Sequence, residues 1–303
     1  MNDILKLATA IAQQHTQLQI GSPLACETYV SELNTHASPV YQSAWLAARS
    51  LGFIVKDAAS IANAWQAQSN RLMSIDPMSW PTDAKDFGLD NPNPDRQFPA
   101  CPLKLGLYAV VPDAQWVDRL VQLGVPTVQL RFKSDDAKAV RDQIQSAVQA
   151  VQHTATLLFI NDHWQQAIDA GAYGVHLGQE DMQEASLNQL YASGLRLGLS
   201  THGYREMQDA LAWQPSYLAL GAVFPTTLKR METAPQGLGR LEKYVQLVHP
   251  LPTVAIGGID LASLPAVMQT GVGSAAVVRA ITAADDVNAA VAALKTCMAK
   301  TLA

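Results

Sequence analysis

From Lys104 onward, short apolar runs rich in β-branched residues alternate eight times with segments of helical periodicity. The runs are Gly106–Val111, Thr127–Phe132, Thr156–Ile160, Gly174–Leu177, Arg196–Leu199, Tyr217–Leu220, Thr253–Ile256 and Ser274–Val278. Trp116–Leu123, Ala137–Val151 and Val287–Met298 are among the helical patterns between them. Strands separated by helices pair in parallel, because each helix carries the chain back to the end where the last strand began. Eight such units in about 200 residues predict an α/β fold closed into a (β/α)₈ TIM barrel. The competing architecture is an open doubly wound sheet. It requires a glycine-rich turn after its first strand, and Val111-Pro112-Asp113 stands there instead.

Ahead of the barrel the pattern differs. Residues 1–75 read as a mostly helical N-terminal extension. Ile4, Leu5, Ala8, Ile11 and Ala12 recur at helical spacing. Ser38-Pro39 sets a capping serine before a first-turn proline. Asp57 is expected to cap a further helix with Ile61, Ala64, Trp65 and Leu72 on one face. Residues 76–103 hold Pro77, Pro81, Pro92, Pro94, Pro99 and Pro102 among Asp, Asn and Gly, which excludes regular structure and marks a linker. The barrel domain then occupies 104–303.

Apolar residues make up 49% of the 303, enough for a large core, and charged residues only 16%. The formal net charge of −5 argues against nucleic acid or an anionic membrane as partner. Cys26, Cys101 and Cys297 are too far apart for a disulfide framework or a metal-ligand spacing. MNDILKLATAIAQQ lacks the basic and apolar stretches of a secretory signal. There is no apolar run of about 18 residues, as a membrane span needs. A cytoplasmic location and small-molecule partners are expected, with assembly into a homo-oligomer left open.

A barrel of this kind works at the C-terminal ends of its strands, and polar residues gather there. In VQLRFKS, Gln129, Arg131 and Lys133 alternate and so share one face, while Leu130 and Phe132 point to the helix layer. Unpaired inside a barrel these groups are costly, and an anionic ligand resolves that cost. Asn161 and Asp162 follow the third run, where a turn and helix cap is the plainer reading. GVHLGQED ends the fourth, with His176 and Gly178 on one face and Asp181 in the loop; a satisfied core histidine is the plainer reading of His176. Asp162 and Asp181, at the tops of neighbouring strands, suit a hard cation such as Mg²⁺. Ser200, Thr201 and His202 end the fifth, and Thr226, Thr227, Lys229 and Arg230 follow the sixth. Gly257-Gly258 and the Val278-Arg279 backbone end the seventh and eighth, a recurrent phosphate position in barrels.

Taken together, these segments resemble the thiamine phosphate synthase family. Its Gln-x-Arg-x-Lys is matched by Gln129, Arg131 and Lys133, and its Asn-Asp by Asn161 and Asp162. Its Gly-x-His-x-Gly-Gln-x-Asp runs from Gly174 to Asp181, and its Ser-Thr-His is Ser200 to His202. Its Gly-x-x-Phe-x-Thr and Lys are Gly221, Phe224, Thr226 and Lys229, and Ala255 to Ile259 match its Ala-Ile-Gly-Gly-Ile. The resemblance implies a transferase that joins a hydroxymethylpyrimidine diphosphate to a thiazole phosphate and releases pyrophosphate. It implies Mg²⁺ on Asp162 and Asp181, and a diphosphate clamp of Arg131, Lys133 and Lys229 as the catalytic cations. Gln129, Asn161, Ser200, Thr226 and Thr227 would bind substrate. Gly257, Gly258, Val278 and Arg279 would take the thiazole's phosphate.

Two departures concern contacts. Leu228 stands where the family commonly has Thr, and Arg279 where it usually has Ser. Residues 1–100 lie outside the family's extent, as a kinase remnant or a plain extension, and the barrel is expected to work without them. A thiazole tautomerase would not need the two carboxylates and the cationic clamp. A non-enzymatic binding or scaffold barrel would show eroded motifs.

Overall fold

The structure, a computed structural model, describes residues 1–89, 97–226 and 233–302. Eight strands form a closed parallel barrel in sequential order. They are β1 (Gly106–Val111), β2 (Thr127–Leu130), β3 (Leu157–Asn161), β4 (Gly174–Leu177), β5 (Arg196–Thr201), β6 (Tyr217–Gly221), β7 (Thr253–Ile256) and β8 (Ser274–Val277). The ring closes where Gly106 of β1 pairs with Ser274 of β8. The alternation of side chains along each strand sorts the core into two layers. Tyr108, Val110, Phe159, Tyr217, Ala219, Val254 and Ala276 fill the barrel's interior. Leu107, Ala109, Val111, Val128 and Leu130 face outward to the helices.

The three interior aromatics need room, and glycines on neighbouring strands supply it. A Cβ on Gly198 would lie 2.1 Å from the Tyr217 ring, and one on Gly174 2.5 Å from Phe159. Large and small residues therefore alternate across the interior, as dense packing requires.

Helices α1 (Asn2–Gln14), α2 (Pro39–Ser50) and α3 (Val55–Leu72) form the N-terminal layer. Ser38 caps α2 by accepting from the Tyr41 amide. Asp57 does not cap α3, whose N-cap position is Ile54 with no side-chain bond. Asp57 lies a turn inside and is directed elsewhere, as described below. Residues 76–89 and 97–103 hold only the short turn Ala84–Phe87.

Around the barrel run α4 (Ala114–Gln122), α5 (Ala137–Val151), α6 (Trp164–Ala170), α7 (Gln179–Glu184), α8 (Leu187–Ser193) and α9 (Tyr204–Leu211). The remaining helices are α10 (Gly237–Val248), α11 (Leu264–Gln269), α12 (Arg279–Thr282) and α13 (Val287–Leu302). The N-terminal layer packs on the α9–α10 side. Its Phe53 and Trp65, with Trp80 of the connection, share one continuous apolar core with Tyr204 and Tyr244. The Trp80 indole donates to the Tyr204 hydroxyl at 2.9 Å, and Phe87 stacks on the Tyr204 ring at 5.1 Å. No helix among the described residues is long and apolar enough to cross a membrane.

Candidate active site

A cleft of about 880 Å³ opens at the C-terminal ends of the strands. It is lined by Gln129, Arg131, Lys133, Asn161, Asp162, Asp181, Ser200, Thr226, Gly257, Gly258, Val278 and Arg279. Thr227 and Lys229, with Leu228 and Arg230, lie outside the described residues.

β2 ends at Leu130, two residues earlier than expected, yet its line continues because the Arg131 amide still donates to the Val111 carbonyl at 2.8 Å. Lys133 is bonded through its ammonium to Asp162 Oδ2. Phe132, between them, packs outward against the core. Lower down, Gln129 Nε2 reaches Asn161 Oδ1 at a long 3.4 Å.

Asp162 has a left-handed backbone, with φ 62°. This conformation is uncommon outside glycine, though Asp and Asn tolerate it best. The Trp164 amide bonds the Asp162 carbonyl at 2.7 Å, so the chain turns sharply there and α6 begins without a side-chain cap. The helix-cap reading of Asp162 therefore fails, and its carboxylate serves the cleft.

Asp181 reaches back to the Gly178 amide at 3.1 Å and faces Asp162. Burial and the neighbouring Asp162 charge push the Asp181 carboxyl above the usual range. Burial acts on Asp162 in the same direction, but the Lys133 ammonium outweighs it and holds Asp162 below its ordinary value. Two carboxylates pressed together beside one ammonium form a donor set suited to a hard divalent cation. Among the described residues no group of three or more His, Cys, Asp and Glu could hold a metal. Oxygen ligands from a phosphate would have to complete such a site, which is how Mg²⁺ is commonly held.

A chain of hydrogen bonds rises through the barrel to the cleft. The Tyr108 and Tyr217 hydroxyls are 2.8 Å apart, Tyr217 OH is 2.7 Å from His176 Nδ1, and His176 Nε2 is 2.8 Å from Ser200 Oγ. Gln179 Nε2 bonds the Ser200 carbonyl at 2.6 Å. Burial raises both phenols well above the usual tyrosine range, so they remain protonated. His176 is thus a buried histidine with side-chain partners on both ring nitrogens, and it also lines the cleft. Tyr108 and Tyr217 carry no polar signal in the sequence, where they read as core aromatics.

Across the cleft, Gly257 has φ 105° and Gly258 φ 66°, conformations that favour glycine. Space demands glycine as well: a Cβ on Gly257 would meet Ala222 at 2.5 Å, and one on Gly258 the Pro225 carbonyl at 2.7 Å. The β6 and β7 loops are sewn together there by the Phe224 amide donating to the Gly257 carbonyl at 3.0 Å. α12 starts immediately after β8, at Arg279.

The fold and this cleft define a parallel eight-stranded barrel with a cation-and-carboxylate wall facing a glycine-rich wall at its strand ends. A family model described as thiamine monophosphate synthase matches residues 107–281. The chain is 55% identical over 196 residues to the thiamine-phosphate synthase of Neisseria meningitidis serogroup A, covering 64% of this chain and 96% of that one. It is 53% identical over 197 residues to the thiamine-phosphate synthase of Escherichia coli O157:H7, covering 65% and 93%. A solved thiamine phosphate pyrophosphorylase from Pyrococcus furiosus superposes with a TM-score of 0.59 at 29% identity, over 66% of this chain and 98% of that one. The chain belongs to the thiamine monophosphate synthase family.

Proposed function

We propose that this chain joins a hydroxymethylpyrimidine diphosphate to a thiazole phosphate, giving thiamine phosphate and pyrophosphate. The observation that carries this reading is the pairing of Lys133 with Asp162 against Asp181, beside Arg131, in the same cleft as Gly257-Gly258. One wall suits a diphosphate and a divalent cation. The other offers backbone amides to a second phosphate.

Arg131 and Lys133, with Lys229, bind the diphosphate and offset the charge that grows as its C–O bond breaks. The pyrimidine methylene carbon is left as a cation, and the thiazole nitrogen supplies the electron pair that forms the new C–N bond. Asp162 and Asp181 would hold Mg²⁺, which when bound shares the negative charge of the departing pyrophosphate. Gln129 and Asn161 orient the diphosphate, and Thr226 and Thr227 bind substrate. Gly257, Gly258 and the Val278-Arg279 backbone fix the thiazole phosphate.

Ser200 is held by the interior chain. Tyr217 OH sits on His176 Nδ1 and His176 Nε2 on Ser200 Oγ, so the imidazole is fixed at both nitrogens and holds the Ser200 hydroxyl at the cleft.

In this reading residues 104–303 are the catalytic barrel, 1–75 a helical layer and 76–103 the connection between them. The partners are two small molecules, met in the cytoplasm. A tautomerase would have no use for Lys133, Asp162 and Asp181 together. The test is to supply both substrates with Mg²⁺ and measure thiamine phosphate and pyrophosphate. Equimolar appearance of the two supports the reading, and absence of both refutes it.

A further inference from the structure

Helix α9 begins directly after the end of β5, where Ser200, Thr201 and His202 line the cleft. Its first amides need acceptors, as at any helix start. The residue at its N-cap is Gly203, which has no side chain to offer. The acceptor comes from the N-terminal layer. Asp57 Oδ1 takes the Arg205 amide at 2.9 Å, from 148 residues away in the chain. Asp57 is only 4% exposed. Gly203 is extended (φ 175°), so any residue could adopt its backbone. What it provides is space, because a Cβ there would lie 2.1 Å from Asp57 Oδ2.

Two further contacts fix α9, one to the same layer and one to the connection that follows it. Ser60 Oγ donates to Gln208 Oε1 at 2.7 Å, and Gln208 Nε2 donates to the Phe87 carbonyl at 2.9 Å. The next helix is gripped in the same way. α10 follows the β6 loop, and a Cβ on its Gly239 would meet the Gln17 carbonyl at 2.1 Å. Arg240, one residue on, donates to the Leu18 carbonyl at 2.8 Å and the Leu51 carbonyl at 2.9 Å.

The N-terminal layer thus holds the first turns of two helices: the one after β5, whose Ser200 and His202 line the cleft, and the one after the β6 loop, given above to the diphosphate. A serine or threonine at position 203 would have capped α9 locally. A cap from another layer instead ties the loop's position to that layer.

We infer that Asp57 is a positioning residue for the β5 side of the cleft, acting through the α9 N-terminus on Ser200 and His202, and that this side meets the pyrimidine diphosphate and not the thiazole phosphate held at Gly257-Gly258. It touches no substrate. This inference rests on the reaction proposed above, and its test separates the two.

The experiment uses the full chain with Asp57→Ala, Asp57→Asn and Gly203→Ala, varying each substrate in turn. Asp57→Ala is expected to raise the KM for the pyrimidine diphosphate about tenfold, the scale of a lost cap. The KM for the thiazole phosphate, held on the opposite wall, stays within about twofold on the same scale. Asp57→Asn keeps an oxygen for the Arg205 amide and restores most of the loss. Gly203→Ala pushes the loop from the other side and reproduces the split between the two KM values. Deuterium exchange of the 201–206 amides speeds up in Asp57→Ala and Gly203→Ala.

A fall in kcat alone, with both KM values and the exchange unchanged, overturns the inference. So does equal weakening of both substrates, or loss of the fold in all three variants, either of which makes Asp57 a stability residue. If the wild-type chain makes no thiamine phosphate, the proposed reaction fails, and the exchange comparison still decides whether Asp57 holds the loop.

Discussion

The Tyr217 hydroxyl lies 2.7 Å from His176 Nδ1, deep in the barrel, and so connects a core phenol to the cleft through Ser200. Tyr217→Phe keeps the ring that fills the space beside Gly198 and removes the hydroxyl that links Tyr108 and His176. His176 Nδ1 and the Tyr108 hydroxyl each lose a partner, which costs about 1–3 kcal/mol of stability. Ser200 loses its fixed orientation, and kcat/KM is expected to fall about tenfold. Thermal unfolding and steady-state rates measure the two effects. A variant with unchanged rates would remove the chain from the mechanism.

Asp162→Ala and Asp181→Ala test the carboxylate pair. Either change leaves the other carboxylate beside Lys133 and deprives a divalent cation of a ligand. Turnover is expected to fall by at least about a hundredfold, and the response to added Mg²⁺ should move to higher concentration. Far-ultraviolet circular dichroism should match wild type, since both residues serve the cleft and not the core. Full turnover in both variants would end the metal assignment.

Asp57 also predicts a pH signature. Burial raises its carboxyl from 3.8 to about 6, with Glu206 adding to the rise and Arg205, Tyr204 and Arg240 opposing it. Between about pH 4 and 6 the folded chain therefore holds a proton that the unfolded chain has released. Its contribution to stability is largest at low pH and falls as pH rises through that window, by on the order of 3 kcal/mol. Asp57→Asn cannot ionise and lacks this slope. Urea unfolding from pH 4 to 7 should show wild type losing stability relative to the Asn variant. Parallel profiles would mean that Asp57 ionises normally.

Much of this architecture is legible in the sequence for a physical reason. Strands buried on both faces read as short unbroken apolar runs between helical patterns, so β1, β4 and β7 are expected over the residues where they lie. The polar positions are legible because Gln129, Arg131 and Lys133 alternate on one strand face, and the structure brings them into one cleft with Asp162 and Asp181. Tyr108 and Tyr217 were not legible, since a buried aromatic in a strand has the same appearance whether or not its hydroxyl is used. Asp57 misled because an acidic residue in a first turn resembles a local cap. Its true partner, the Arg205 amide, lies 148 residues away, beyond any argument from spacing.

The N-terminal layer bears on the expectation that the barrel works alone. The relatives match under 200 residues of this chain, about the length of its barrel. Here the barrel's α10 carries Arg240, only 3% exposed, with its guanidinium 3.5 Å from the centre of the Phe53 ring and bonded to the Leu18 and Leu51 carbonyls. Removing residues 1–100 would strip those partners and uncover Tyr204 and Tyr244, which the shared core now buries. We expect the truncated barrel to aggregate or to melt well below the full chain. Arg240→Met in the full chain isolates one part of this, with an expected loss of about 3 kcal/mol, since the Leu18 carbonyl would lose its buried donor. Differential scanning calorimetry of both measures the effect. A truncated barrel that melts with the full chain would show that these contacts add nothing to its stability, and that the layer is an appendage.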